Sequence, residues 1–242
     1  MTRRAAIREL LQETDDILTL LTEEYERAKN DFSINSIPRV KVKSALEHMR
    51  SILDYAALDV YHYVYKKNPP KIYFPYGSDH QKFKDSIGRN LPGLEIESIL
   101  IYKLIESIQP HCILENTLTD LCAFTNHNKH QNLTSQTKVS KVATTNVGNL
   151  VSFGRGGGQV VFENCVINGL PMEQGRVINL RPEMSDAEML SQFDPRLLIT
   201  ISRVAGELKF KLGNTDHDAL AFLTRSRNIV SDFVDRLYAI IE

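Results

Sequence analysis

The chain has 242 residues, of which 42% are hydrophobic and 24% are charged, and its formal net charge is -1. This composition is typical of a globular protein with one full core, or with one core and a small lobe. The net charge excludes strong attraction of the whole molecule to nucleic acid, but it does not exclude a local basic patch. The three cysteines lack CxxC spacing, which excludes a disulfide framework and a zinc ribbon and indicates a reducing compartment.

No stretch of the sequence has the pattern of a secretory signal or of a membrane helix. The basic residues Arg3 and Arg4 are followed by charged residues from Arg8 to Asp16, so a continuous apolar signal region is lacking. No window approaches the roughly 18 consecutive apolar residues that a membrane helix requires. We therefore expect a cytoplasmic protein without a membrane partner.

The first half of the chain has apolar residues at the three- and four-residue spacing of amphipathic helices. This spacing predicts a first helix from Ala5 to about Lys29 and a long second helix from Val40 to about Lys66, which Asn68-Pro69-Pro70 ends. An extended arm at 71–77 and a short helix at 79–87 are predicted to follow. The next predicted helix ends near Gln109-Pro110, and its apolar stripe consists of Ile96, Ile99, Leu100, Leu104 and Ile108. The last helix of this half is predicted from Leu114 toward Asn132.

Beyond Leu133 the pattern changes to short β-branched or alternating runs separated by glycine and asparagine turns. These runs lie at 139–143, 150–153, 160–166, 176–180, 198–201 and 208–212. Asn168-Gly169 is a hairpin signal, and a final helix capped by Thr215 or Asp216 follows the last run. The predicted fold class is α+β: an antiparallel helical bundle at 1–133, a β-rich lobe with a small antiparallel sheet at 134–213, and a C-terminal helix at 214–242 that packs on the bundle.

The second helix carries a polar stripe beside its apolar seam. At about 100° per residue, Glu47, Arg50 and Asp54 lie along the border of the core. His48 and Asp59 lie on the opposite, outward face. Glu47 and Asp54 stand three and four residues from Arg50, and these spacings allow ion pairs. The stripe is either a structural ladder of ion pairs or part of a functional site.

The helix that closes the bundle ends in a polar segment from Thr125 to Asn132. If the helix continues, Asn126 and His130 flank its buried seam and Lys129 lies nearly under the seam. Asn126 and Lys129 join His130 as candidate site residues, and His130 is the candidate general acid or base, because imidazole titrates near neutrality. The alternative interpretation is a C-terminal cap, in which basic side chains meet the negative end of the helix dipole.

Other motifs do not indicate a cofactor or a metal ion, so we expect neither. The glycine-rich loop at 154–158, which contains Arg155, lacks the Lys-Ser/Thr of a P-loop, and a hairpin tip is preferred over a phosphate site. His111 beside Cys112 has no partner motif for metal binding. A run of aromatic residues either stacks on bases or belongs to the core, and the core is preferred: Tyr61, Tyr63, Tyr65, Tyr73, Phe74 and Tyr76.

Four segments carry a resemblance to known proteins. They are Ser44 to Tyr55 (SALEHMRSILDY), Tyr73-Phe74-Pro75, Ile108-Gln109-Pro110 and Asn126-His127-Asn128-Lys129-His130. With them, about the first 135 residues resemble a group of uncharacterised bacterial proteins that typically show LRSxLDH, FPI, lQPY and NxDKHR motifs. The helical part is more distantly similar to HEPN domains, helical bundles that often act as ribonucleases in toxin and phage-defence systems through an arginine and a histidine several residues apart.

The resemblance implies a metal-independent ribonuclease, or a toxin or defence-system component, with RNA as partner and a homodimer that assembles the cleft. His130 would exchange a proton with the ribose 2'-hydroxyl or the leaving oxygen, and Arg50 and Lys129 would neutralise charge on the phosphate. Glu47 and Asp54 would orient Arg50. The alternative hypothesis is a non-catalytic binding or assembly module with a structural polar stripe, which contacts a protein or a small ligand. No arginine precedes His130 at the HEPN spacing, which favours the alternative, whereas Arg50 and His130 in one cleft would favour the nuclease.

Overall fold

The computed structural model describes residues 3–31, 33–130, 132–154 and 157–242, with the backbone alone described at His130. The helices of this part of the chain are α1 (Arg4–Asn30), α2 (Arg39–Tyr65), α3 (His80–Asn90), α4 (Leu94–Glu97), α5 (Ile99–Glu106), α6 (Pro110–Ile113), α7 (Thr117–His130), α8 (Asp186–Leu190) and α9 (Ala219–Ile241). The strands are β1 (Gln136–Val147), β2 (Val151–Gly154), β3 (Val160–Glu163), β4 (Val166–Ile167), β5 (Leu170–Pro171), β6 (Val177–Leu180) and β7 (Ile201–Leu212). The predicted α+β class is confirmed, including the β segment before the C-terminal helix. Arg155 of the glycine-rich loop and Gln131 of the polar segment from Thr125 to Asn132 lie outside the described residues.

The chain divides into two compact units. The helical unit comprises Met1–Glu23, Ser36–Thr137 and Phe210–Glu242, and the β-rich unit comprises Glu24–Asn35 and Lys138–Lys209. The last turns of α1 therefore group with the β-rich unit, although the spacing of apolar residues placed the whole of that helix in the bundle.

The core of the helical unit forms where α2 packs against α7 and α9. Leu46, Met49 and Leu53 of α2 and Phe233 and Leu237 of α9 are fully buried, at the three- and four-residue spacing that puts side chains on one helix face. Each such side chain contributes about 1.5–3 kcal/mol of transfer free energy. No helix in the described part of the chain combines the length and the apolar character that a membrane crossing requires.

The helix predicted to run to Gln109 is broken at Ser98, which has φ -156° and ψ 86° and separates α4 from α5. Ile96 and Leu100 were predicted on the buried stripe, but they are 90% and 67% exposed. The buried face is formed instead by Ile101 and Ile105. The prediction was wrong at these positions because it assumed one continuous helix through Ser98, with a single buried face on both sides of that residue.

The predicted extended arm, residues 71–77, is held by one side chain from α2 and one from the N-cap of α6. Asp54 of α2 accepts a hydrogen bond from the Phe74 amide at 2.8 Å. The buried Gln109 donates to the Pro75 carbonyl at 3.3 Å and accepts from the Gly77 amide at 3.2 Å. A Cβ atom on Gly77 would lie 2.2 Å from the Phe83 nitrogen, so only glycine fits there. The arm is therefore fixed in its course past α2.

The helices α3 and α9 each begin at an aspartate N-cap. Asp79, where a short helix was predicted to begin, is the N-cap of α3, and its side chain accepts from the Lys82 amide. The cap of α9 is Asp218, whose side chain accepts from the Ala221 amide, rather than Thr215 or Asp216. Thr215 instead donates to the Leu212 carbonyl in the turn that follows β7, so the helix begins later than predicted.

The β-rich unit contains one sheet in the order β2-β1-β7 and two antiparallel pairs, β3-β6 and β4-β5. The hairpin predicted at Asn168-Gly169 is confirmed between β4 and β5, with φ values of 46° and 83°. The core residues of the unit are Val147, Phe153, Ile167, Ile178, Leu180, Met189 and Phe193. Two local features differ from the prediction. Helix α8, which is capped by Ser185 and Glu188, was not predicted. The run at 198–201 becomes a strand only at Ile201, because the backbone of Leu198 adopts the left-handed conformation.

Candidate functional site

The helical unit contains a cleft of about 1010 Å³, which we call the basic cleft. Its walls come from α2, the arm, α3 and α7, and its lining residues are Arg50, Tyr73, Phe74, Tyr76, Gly77, Ser78, Lys82, Asp85, Ser86, Arg89, Asn90, Thr119, Asn126 and Lys129. This set has four cationic side chains and one carboxylate. A concave surface with such an excess of positive charge attracts anions.

Arg50 lines the basic cleft with a side chain that is only 11% exposed. Its Nη2 lies 3.2 Å from Asp54 Oδ1, and its Nη1 donates to the Cys122 sulfur at 2.7 Å. The guanidinium also lies over the Tyr76 ring, 5.1 Å from the centroid. Burial lowers the pKa of Arg50, but Cys122, Asp54 and Tyr76 outweigh that effect and raise it, so the group stays cationic.

Asp54 joins Arg50 to the arm. Its carboxylate pairs with the guanidinium and accepts from the Phe74 amide. Burial raises the pKa of Asp54, while Arg50, the Phe74 amide and Lys129 act in the opposite direction. Lys129 of α7 is therefore close enough to Asp54 of α2 for their charges to interact. The two polar segments singled out in the sequence meet in the basic cleft through these residues.

Cys122 and Tyr76 complete the contacts around Arg50. Burial raises the pKa of the Cys122 thiol to about 11, although Arg50 opposes the shift. Burial also raises the pKa of Tyr76, while Arg50 and a hydrogen bond donated by Asn126 lower it. A neutral thiol and a neutral phenol thus surround one permanent cation, and Asn126 reaches this group from the cleft side of α7.

Glu47, the other carboxylate predicted to orient Arg50, has a different partner. Its Oε2 lies 3.1 Å from Lys43 Nζ, one turn earlier on α2. It is not among the described residues that line the basic cleft. Of the two ion pairs predicted along the stripe, Arg50 with Asp54 is formed, whereas Glu47 pairs with Lys43 instead of Arg50. The orienting role therefore falls to Asp54.

The face of α2 predicted to point outward is in fact partly covered. Asp59 is 4% exposed and accepts hydrogen bonds from the Tyr238 hydroxyl and from the backbone and side chain of Arg3. His48 is half-buried, and its Nδ1 is buried without a hydrogen-bond partner among the described residues. The prediction was wrong because apolar spacing identifies one buried face and cannot show that α9 and the start of the chain cover a polar position.

The end of α7 has one buried polar residue, Asn128, between exposed ones. Asn126 and Lys129 are exposed and line the basic cleft, so Lys129 does not lie under the helix seam. The buried position is Asn128, whose side-chain oxygen accepts from the Thr134 amide at 2.7 Å and the Thr134 hydroxyl at 2.9 Å. His130 is the last residue of α7; its side chain lies outside the described part of the chain, and its catalytic role stays a prediction.

The chain matches no family model, no curated protein and no solved structure. The chemistry of the site is therefore what indicates its function.

The aromatic residues divide between the two interpretations that the sequence left open. Phe74 is 1% exposed and packs edge-on against Phe233, so it belongs to the core. Tyr73 is 49% exposed and, with Tyr76, lines the basic cleft. These two rings can stack on a planar ligand, because every nucleic-acid base offers a π-face.

Sequence reasoning missed Lys82 and Arg89, the cations that α3 adds to the basic cleft. They stand seven residues apart, a spacing that places them on one face of a helix. That signal was available in the sequence. It was not used because the predicted helix stopped at Ile87, before Arg89.

Proposed function

We propose that the basic cleft binds RNA and that the chain is a HEPN-like, metal-independent ribonuclease acting as a toxin or defence-system component. One observation supports this proposal above the others: Arg50 of α2 and Lys129 of α7 line the same cleft. Arg50 and Lys129 belong to two polar segments that are far apart in the sequence, and the proposal requires both side chains to contact the same RNA ligand.

Binding would rest on charge and stacking together. Lys82, Arg89 and Lys129 are exposed cations that can neutralise successive phosphates of a single strand. Tyr73 and Tyr76 offer ring faces to unpaired bases. A single-stranded segment fits this combination better than a duplex, whose bases are already stacked on one another.

Cleavage would proceed by attack of the ribose 2'-hydroxyl on the adjacent phosphorus, with rupture of the bond to the leaving 5'-oxygen. His130 would take the hydroxyl proton or donate a proton to the leaving oxygen. Arg50, held by Asp54, would stabilise the charge that grows on the phosphate oxygens, with Lys129 beside it. Asn126 would position the phosphate or a base by hydrogen bonding from its exposed place in the cleft.

The activity test uses labelled single-stranded RNA and purified protein in the presence of a chelator. Wild type is expected to cleave, and His130→Ala is expected to cleave at least about 100-fold more slowly, the usual loss for a general acid or base. His127→Ala is the matched control, since His127 is exposed on the same helix and is not among the residues lining the basic cleft. Equal rates for wild type and His130→Ala refute the catalytic assignment. Growth arrest on induced expression, relieved by the same substitution, would support a toxin role.

The binding test uses the His130→Ala variant, so that bound RNA stays intact. Each phosphate contact contributes about 0.7 to the slope of log affinity against log salt for a single strand. Lys82→Ala and Lys129→Ala are each expected to reduce that slope by about this amount. Lys84→Ala is the control, because Lys84 lies on α3 and lines a different hollow. Unchanged slopes for Lys82→Ala and Lys129→Ala contradict RNA binding in the basic cleft.

The second candidate is a non-catalytic binding or assembly module, and the contacts of Arg50 favour it. Its side chain is 11% exposed and is already engaged by Asp54, Cys122 and Tyr76, as in a structural ion pair. Salt-dependent RNA binding without cleavage by wild type would support this candidate over the nuclease. The homodimer implied by the HEPN resemblance is tested by light scattering with and without RNA, where a monomer under both conditions contradicts it.

A further inference from the structure

A second group of polar side chains, which we call the His-Glu cluster, consists of His80, Glu106 and His111. Nε2 of His80 lies 3.7 Å from Oε1 of Glu106, and Nε2 of His111 lies 3.6 Å from the same oxygen. One ligand atom from each residue lies within 4.8 Å of the others. None of the three is among the described residues that line the basic cleft.

Three local structures place these side chains together. His80 is the first residue of α3, directly after its cap Asp79. Glu106 is the last residue of α5, and His111 follows Pro110 at the start of α6. Between Glu106 and His111, the buried Gln109 is hydrogen-bonded to the arm and to the Ile105 carbonyl. The backbone that carries the cluster is thus fixed before any ligand arrives.

The surroundings of His111 leave its ring nitrogens unsatisfied. Both Nδ1 and Nε2 are buried, and within the described part of the chain neither has a hydrogen-bond partner. The ring is stacked on that of His80, with centroids 5.0 Å apart and an interplanar angle of 9°, and Phe83 packs nearby. A buried nitrogen without a partner is unfavourable, and a ligand on Nε2 would remove that cost at one of the two nitrogens.

Neutral imidazole and carboxylate are the ligands that zinc and related divalent transition metals prefer. In a tetrahedral zinc site with bonds near 2.1 Å, neighbouring ligand atoms lie about 3.4 Å apart. The two distances to the Glu106 oxygen are within a few tenths of that value, and His80, whose side chain is 55% exposed, has room to turn toward the other two. We propose that His80, Glu106 and His111 bind one divalent transition metal ion of the zinc class.

Three protein ligands leave one position of a tetrahedral ion for water or for a further ligand, as in catalytic rather than closed structural zinc sites. His80, whose side chain is 55% exposed, is the member of the cluster that solvent reaches most readily. Sequence reasoning found no partner for His111 because its partners lie five and 31 residues earlier in the chain, a spacing that no compact metal motif has. The proposal is independent of RNA binding, since it uses other residues.

The test measures binding of Zn²⁺ alone to chelator-treated full-length protein by calorimetry, with the metal content confirmed by elemental analysis. Wild type is expected to bind one Zn²⁺ per chain and to melt at a higher temperature when loaded. His111→Ala and Glu106→Gln are each expected to weaken binding by at least about 100-fold, because two ligands hold the ion far less well than three. Loading with Co²⁺ should give the visible absorption of a tetrahedral site in wild type and not in these variants.

Two control variants separate the cluster from other sources of zinc affinity. His62→Ala removes an exposed histidine elsewhere on the helical unit and should bind as wild type does. Cys112→Ser removes the exposed thiol next to His111, which lies outside the cluster, and should also bind normally. Circular dichroism checks that each variant is folded. Absence of stoichiometric Zn²⁺ in folded wild type overturns the proposal, and so does undiminished binding by folded His111→Ala.

Discussion

The Tyr238 hydroxyl of α9 donates a hydrogen bond to Asp59 Oδ2 of α2 at 2.6 Å, and both side chains are buried. Arg3 meets the same carboxylate, with its Nη1 2.6 Å from Oδ1. Asp59 thus ties the start of the chain and the C-terminal helix to the central helix of the bundle. Burial, followed by the hydrogen bond and charge of Asp59, raises the pKa of Tyr238 above the ordinary tyrosine value.

Replacement of Tyr238 by phenylalanine should lower the free energy of unfolding by about 1–2 kcal/mol, since a hydrogen bond to a charged acceptor is lost. The raised pKa also gives a pH dependence. The stability that Tyr238 contributes is present below its unfolded pKa of 10.0 and is lost as pH rises above that value, because the unfolded chain then releases a proton that the folded chain retains. Urea titrations from pH 8 to 11 should show a smaller alkaline loss for Tyr238→Phe than for wild type. Tyr63→Phe, at an exposed position, is the control and should behave as wild type does.

Two substitutions of Asp54 should separate its two contacts. Asp54→Ala removes both the partner of Arg50 and the acceptor of the Phe74 amide, and should cost about 2–4 kcal/mol in chemical denaturation. Asp54→Asn keeps an oxygen that can accept from the amide, so it should cost less than half as much. Equal losses for the two variants would mean that the charge, and not the bond to the arm, determines stability here.

The reactivity of the cysteines should follow their surroundings. Cys112 is exposed, whereas Cys122 is buried and has its pKa raised to about 11 by burial. Thiolate is the reactive form, and burial and Glu106 raise the pKa of Cys112 as well, so both thiols react slowly near neutral pH. Cys122 is in addition shielded from the reagent by its burial. Iodoacetamide should therefore label Cys112 first and Cys122 only after denaturation, as peptide mapping would show. Rapid labelling of Cys122 in the native protein would contradict its place beside Arg50.

Removal of the Gln109 side chain should release the arm. Gln109→Ala leaves the Gly77 amide without its acceptor and the Pro75 carbonyl without its donor, in a buried position. We expect a loss of about 2–4 kcal/mol, because unpaired buried groups cost more than the bonds contribute. Hydrogen exchange at the Gly77 amide should also become faster. Gln81→Ala, at an exposed glutamine of α3, serves as the control and should leave both measurements unchanged.

Much of the helical fold could be predicted because it depends on local spacing. The periodic apolar residues of α2 and α9 and the Asn168-Gly169 turn each signal their own structure. The break at Ser98 could not be predicted, since neither glycine nor proline marks it. The burial of Asp59 depends on α9 and Arg3, which are distant in the chain.

The candidate sites show the same division between local and distant information. Helical phase alone put Arg50 at the inner border of α2, where the basic cleft lies. By contrast, the exposure of Lys129 depends on where α7 packs, and Asn128 occupies the buried position. The His-Glu cluster depends wholly on tertiary structure, because its members come from three separate helices.

The double attachment of Asp54 couples the charge of the basic cleft to its shape. The carboxylate that holds Arg50 also anchors the Phe74 amide, so an anion that drew the guanidinium away would change the balance of forces on the arm as well. Tyr73 and Tyr76, on either side of that anchor, would sense the change. Recognition of a ligand's phosphate by Arg50 and of its base by the two tyrosines would then both depend on the Asp54 carboxylate. A change in the affinity for the phosphate would therefore alter the fit of the base, and the reverse.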